Sequence, residues 1–189
     1  MQTNEQMLSA IENYLAQTEF PAEPELLYAP IGYSLAGGGK RLRPMLLTLS
    51  CGIFSDDVKQ ALPAAAAVEV FHNFTLLHDD IMDNAAVRRG KPSVYAKWGP
   101  SVAILSGDAM MICAYRLLSE VPAELLPRIL GTFNTMACRA SKPCIISMSG
   151  PSARPKTPLR RMSCWQSCPV WKRSRDSSKR SWKRPGSIM

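Results

Sequence analysis

A break at Cys138 limits what this chain can fold into more than any other feature, because the residues on its two sides follow different rules. The 51 residues from Arg139 to Met189 hold 11 serines, six prolines, three of the four tryptophans and 13 basic residues against one acidic residue, Asp176. They show neither helical nor strand periodicity, so they continue no helical core. Met1 to Cys138 carries 10 basic and 14 acidic residues, so the net charge of +8 and the pI near 9.4 belong to the tail and describe no single folded surface. Nucleic-acid binding cannot be read from them. The chain therefore divides into a domain over 1–138 and a basic Ser/Pro/Arg-rich tail over 139–189. Unpaired Cys and Trp mixed among Arg, Ser and Pro are what translation in a shifted reading frame produces; a native disordered tail is the alternative.

Before the break, 46% apolar composition over the chain is enough for a core. The apolar stretches are interrupted, by Glu69 after Ala64 to Val68 and by Asp108 inside Val102 to Met111, so none reaches the roughly 20 residues of a membrane span. Glu5, Glu12 and Glu19 without Lys or Arg in the first twenty residues give the wrong charge for a secretory signal or transit peptide, so a cytoplasmic address is expected. The six scattered cysteines suggest reduced thiols. Cys164 and Cys168 make a poor zinc site, since no CxxC pair occurs and both histidines lie far upstream.

The patterning up to Cys138 is all-α. Met7, Leu8, Ile11, Tyr14 and Leu15 recur at helical spacing, and a second run follows from Leu26 to Leu35. Gly37-Gly38-Gly39 breaks the chain, and Pro44 is placed as a first-turn proline of a third helix. A long helix runs from Ala61 to Asp83, and two more cover about Ser101 to Val121 and Ala123 to Cys138, supported by Ala, Met and Leu. No alternating run reads as a strand.

The chemistry is concentrated at the end of the long helix, His72-Asn73-Phe74-Thr75-Leu76-Leu77-His78-Asp79-Asp80-Ile81-Met82-Asp83. Asp79 and Asp83, four residues apart, share a face, and His72 precedes Asp79 by about two turns on the same stripe. Two stacked carboxylates repel unless a cation sits between them. Oxygen-only ligands favour Mg²⁺, which binds a few carboxylates and completes its shell with water and substrate phosphate. The other reading is a solvated acidic helix end. Two basic clusters flank this line: Arg88-Arg89-Gly90-Lys91 follows it, and Lys40-Arg41-Leu42-Arg43 stands before the Pro44 helix. Each alone could be a solvated patch, but together with an acidic line they suit a polyanion that bridges metal and protein. Lys40 and Arg43 beside a helix N-terminus can hold phosphate by charge, backbone N–H groups and dipole together. The glycines are not a Walker A loop, because Ser34 and Arg41 stand where its first Gly and its Mg²⁺-binding hydroxyl should be.

These residues resemble the trans-isoprenyl (polyprenyl) diphosphate synthases, the farnesyl and geranylgeranyl diphosphate synthase family. Gly38-Gly39-Lys40-Arg41-Leu42-Arg43-Pro44 is similar to the family's GGKRxRP segment, and Asp79-Asp80-Ile81-Met82-Asp83 to its first aspartate-rich DDxxD motif. Arg88 to Pro92 resembles its RRGKP, and Ser106-Gly107-Asp108 its LxGD, read as a helix start. The resemblance covers about residues 5–138, roughly the first half of a typical member. It implies the N-terminal half of an isoprenoid-synthase helical bundle. It further implies a prenyltransferase that condenses isopentenyl diphosphate with an allylic diphosphate through a carbocation. Lys40, Arg43 and His72, helped by Arg89, would bind isopentenyl diphosphate. Asp79 and Asp83 would carry Mg²⁺, and Arg88 would grip the allylic diphosphate. An aromatic at Phe74, five residues before Asp79, would act as the floor that limits product length. A complete member would be a homodimer.

The departure lies after Cys138, where no second aspartate-rich motif follows and Asp176 is the only acid. The resemblance therefore implies a truncated and impaired synthase. Two readings of other classes stand beside it. One is a non-catalytic subunit that binds a complete synthase; the other is a binder of anionic polymers through Trp165, Trp171 and Trp182 among their basic neighbours.

Overall fold

A computed structural model describes residues 3–140 apart from residue 56, with the side chains of the last two left aside. Residues 141–189, and with them nearly all of the basic tail and the proposed frame change, lie outside the described residues.

The helices follow the apolar periodicity. Helix α1 is Asn4–Gln17, opened by a reciprocal cap in which Gln6 N–H donates to Thr3 Oγ1 and Thr3 N–H to Gln6 Oε1. Helix α2 is Glu25–Ala36, and α3, Leu42–Gly52, carries Pro44 in its first turn as expected. A 3₁₀ turn at Val58–Ala61 leads into α4, Leu62–Met82. After a short hairpin come α5, Val94–Trp98, capped by Ser93 Oγ accepting from Ala96 N–H, then α6, Pro100–Leu118, and α7, Leu126–Ala140.

Helix α4 is the axis. Ala64 to Ala67 are buried on every side of its first half, and Val70, Phe71, Phe74 and Leu77 continue the core. A helix apolar all round must be surrounded: α6 packs along it with Ala103, Met110, Ala114 and Leu117, while α1 and α3 flank it elsewhere. By length and hydropathy α6 could cross a bilayer, yet it is the second core helix of this bundle, and it carries the exposed Asp108, whose Oδ1 lies 3.9 Å from His78 Nε2 of α4. Gly107 lies at the heart of the α4–α6 contact. A Cβ there would come within 2.4 Å of His78 Nε2, so only glycine admits the imidazole. Among the described residues two apolar stripes are exposed, Leu42 and Leu46 on α3 with Ile53 just past its end, and Leu105 and Ile112 on α6.

Three expectations need correction. A strand pair does exist: β1, Val87–Arg88, pairs antiparallel with β2, Lys91–Pro92. Arg89 and Gly90 between them have φ of 53° and 76°, the left-handed pair that a two-residue hairpin turn requires. Gly107-Asp108 is not a helix start but the middle of α6, which begins at Pro100. The last helix runs on to Ala140, just past the expected boundary. The all-α class stands.

Candidate active site

Helix α4 delivers its polar residues in two directions, and the rotation of about 100° per residue decides which. Asp79 is half-buried at the surface and Asp83, the residue that ends the helix, is exposed; its N–H donates to the Asp79 carbonyl at 2.9 Å. The Asp79 carboxyl is held above the usual carboxylate range, first by partial burial and then by the Asp83 charge, with Arg88 acting in the opposite sense. The pair thus repels as the spacing predicted.

Asp80 turns inward and is 1% exposed. Its partner is Arg88, whose Nε donates to both carboxylate oxygens at 2.7 and 2.9 Å and whose Nη2 lies 2.6 Å from Oδ1. That clamp pushes the guanidinium pKa upward, against the burial that acts to lower it. The sequence makes it possible by folding the chain back at once after α4. Ala85 N–H donates to Asp80 O, Asn84 adopts φ 50°, and Ser93 ties the far strand to Ala85 O and Ala86 O. A guanidinium has five donors, so the clamp fixes Arg88 beside Asp79 and leaves donors for a ligand.

The second direction leads to the basic cluster. His72, half-buried, is held below its usual pKa by burial first and then by Arg43, with Arg89 and Arg88 adding and Glu69 opposing. The structure therefore joins His72 to Arg43 and Arg89, not to the carboxylates with which it shares a stripe. Arg89 donates from Nη1 to Gly38 O, and its guanidinium lies about 3.1 Å from where a Cβ of Gly39 would be. Gly39 has φ 146°, so that close approach and the backbone both call for glycine. Lys40 stands exposed next to it, and Arg43 is exposed on the first turn of α3.

Three residues that sequence reasoning passed over hold this cluster up. Arg41 is buried, and its Nη1 donates to Glu69 Oε1 at 2.7 Å while Nη2 donates to Leu35 O at 2.9 Å. Asn73 Nδ2 donates to Glu69 O and Oε1. Removing one partner of such a buried pair costs about 3–5 kcal/mol, because the other charge is stranded. Arg41 also takes φ 44°, a left-handed backbone that costs a non-glycine residue about 1–2 kcal/mol. Glu69 was legible as the one acid within the apolar half of α4; its partner was not.

A cleft is lined, among others, by Tyr33, Asn73, Asp80, Arg88, Arg89 and Ser93; it takes in the Asp80–Arg88 clamp and Arg89, while Asp79, Asp83, His72, Lys40 and Arg43 are not in its lining. Phe74 is 7% exposed, with its ring 5.2 Å from that of Phe71 and 4.7 Å from His78. Among the described residues no group of three or more His, Cys, Asp or Glu converges as a metal cage. A cation held here would rely on Asp79 and Asp83, with water or ligand oxygens completing its shell. That donor set, oxygen-only and electrostatically under strain when empty, fits Mg²⁺.

Residues 24–146 match the Polyprenyl synthetase family. A geranylgeranyl diphosphate synthase of Methanosarcina mazei is 42% identical over 136 residues, covering 72% of this chain and 40% of that protein. A farnesyl diphosphate synthase of Geobacillus stearothermophilus is 39% identical over 63% of this chain and 40% of its own length. Among solved structures, a geranylgeranyl pyrophosphate synthase is similar with TM-score 0.70 and 44% identity, covering 73% of this chain and 42% of that one. An FPP/GFPP synthase from Zymomonas mobilis gives 0.66 and 32%, with coverage of 82% and 59%. The helical fold is that of the isoprenoid synthases, and the chain belongs to the polyprenyl synthetase family. It spans about 40% of the length of the curated relatives it matches.

Proposed function

We propose that residues 3–140 form the diphosphate-gripping half of a trans-prenyltransferase acting on isopentenyl diphosphate and an allylic diphosphate. The observation that carries this is the division of polar residues around α4, with the repelling Asp79/Asp83 pair and clamped Arg88 on one side and His72, Arg43 and Arg89 on the other. Two anion-binding groups carried by one helix and the loops beside it suit two diphosphates. Asp79 and Asp83 would hold Mg²⁺, which supplies positive charge against a departing diphosphate. Arg88, fixed by Asp80, grips the allylic diphosphate as its C–O bond breaks and the electron pair leaves with it. Lys40, Arg43, His72 and Arg89 hold isopentenyl diphosphate so that its double bond faces the allylic carbon. The new carbon–carbon bond forms and a proton is lost; no side-chain nucleophile takes part. Phe74 would stand below the carboxylates as the floor for the growing chain.

Only one acid, Asp176, follows Cys138, so residues 139–189 supply no second carboxylate line for the condensation. The chain by itself is expected to bind without turning over. Neither the subunit reading nor the anionic-polymer reading gains support from the relatives. Titration calorimetry with an allylic diphosphate should show binding that disappears with EDTA or with Asp79→Ala. Equal affinity in all three conditions would refute the metal assignment.

A further inference from the structure

The residue between the two diphosphate cations, Arg41, touches neither partner of the proposed reaction, yet it is the most constrained side chain of its segment. It lies at 8% exposure with φ 44°, immediately before α3, and both ends of its guanidinium are engaged. One end meets Glu69 on α4; the other meets Leu35 O in the last turn of α2. That carbonyl belongs to the set a helix leaves without an internal partner, at the end where the dipole favours a cation. The segment from Ala36 to Lys40 is therefore closed at its base by its own last neighbour. Gly38 and Gly39, inside this closed loop, are the residues against which Arg89 docks. Arg41 Nε is buried without a hydrogen-bond partner, so Nη1 and Nη2 carry the anchoring, and Asn73 in turn steadies Glu69.

Resting on the reading above, we propose that Arg41, anchored on Glu69, is a positioning residue for isopentenyl diphosphate: it staples the glycine loop shut and so presents Lys40, Arg43 and Arg89 as one preformed anion cradle. Lysine cannot substitute, because a single point charge cannot span a carboxylate and a carbonyl as a planar fork does. The staple stands on the basic side of the site, so the carboxylate side does not depend on it.

The test compares the full chain with Arg41→Lys and Glu69→Gln, using Lys40→Ala as a reference. Amide hydrogen exchange on the ligand-free proteins should quicken over residues 36–45 in both staple variants by a larger factor than in the cores of α4 and α6. Calorimetry in EDTA should show isopentenyl diphosphate binding weakened on the order of 10-fold or more, while the gain in allylic diphosphate affinity on adding Mg²⁺ is retained. Unchanged exchange over residues 36–45 would overturn the proposal. So would quickened exchange with undiminished isopentenyl diphosphate affinity, or a uniform loss of protection, which would mark Arg41 as a core strut and nothing more. A wild-type chain that binds no isopentenyl diphosphate, with Lys40→Ala indistinguishable from it, would count against the proposed function instead, and the exchange comparison would still decide whether the staple exists.

Discussion

His72 is neutral over a pH range in which an ordinary histidine begins to charge, because burial and the neighbouring Arg43 and Arg89 disfavour its imidazolium. The unfolded chain takes the proton first as pH falls below 6.5, so this residue's contribution to stability is lost in going from its ordinary value down towards its lowered one. A bound diphosphate would cancel the surrounding positive field and raise the pKa again. Binding at about pH 6 should therefore take up a proton, a quantity that calorimetry in buffers of different ionisation enthalpy measures. His72→Gln should abolish that uptake. Asp79 has the opposite sign: its raised carboxyl pKa means that stability falls as pH climbs through it, since the folded state would keep the proton longer. At neutral pH Asp79→Asn should melt higher than the wild type without metal and gain nothing from Mg²⁺, as thermal scans with and without the ion would show. A variant melting lower without metal would contradict the repulsion between Asp79 and Asp83.

At the level of elements, the glycines of α6 and α7 make opposite predictions. Gly107→Ala drives a Cβ into His78 and should cost about 1–3 kcal/mol by overpacking, even after the gain in helix propensity. Gly131 has nothing within 4 Å, so Gly131→Ala should stabilise the chain by about 0.8–1 kcal/mol. Denaturant unfolding of the two variants separates packing from propensity. The same pair shows what could be read from sequence. Long periodic segments such as α4 were legible because burial imposes their spacing, and Asp79 and Asp83 followed from it. The apolar pattern carried the helix through Gly107 and only the resemblance made Ser106-Gly107-Asp108 a helix start; neither announced that Gly107 makes room for an imidazole from another helix. The hairpin was missed because two-residue strands have no measurable alternation, though Arg89-Gly90 carried its turn signal. The Arg41–Glu69 pair joins residues 28 apart in the chain, which no local pattern announces.

For the molecule as a whole, product length is the property that the described residues should control in a complete synthase. In a chimera joining residues 1–140 to the C-terminal part of a relative, Phe74→Ala should shift products towards longer chains by chromatography. An unchanged distribution would place the floor elsewhere. The ring packs on Phe71 and His78, so the substitution should also cost about 3–5 kcal/mol. The exposed apolar stripes bear on a different property. Leu46 on α3 and Ile53 just past its end are 64% and 75% exposed, and Leu105 and Ile112 on α6 59% and 67%. To chaperones and proteases, which sort polypeptides by displayed apolar surface, two such stripes among the described residues are a mark to bind. The amount of this protein that survives in a cell would then be governed by how quickly those helices find cover, and only secondarily by the strength of its core.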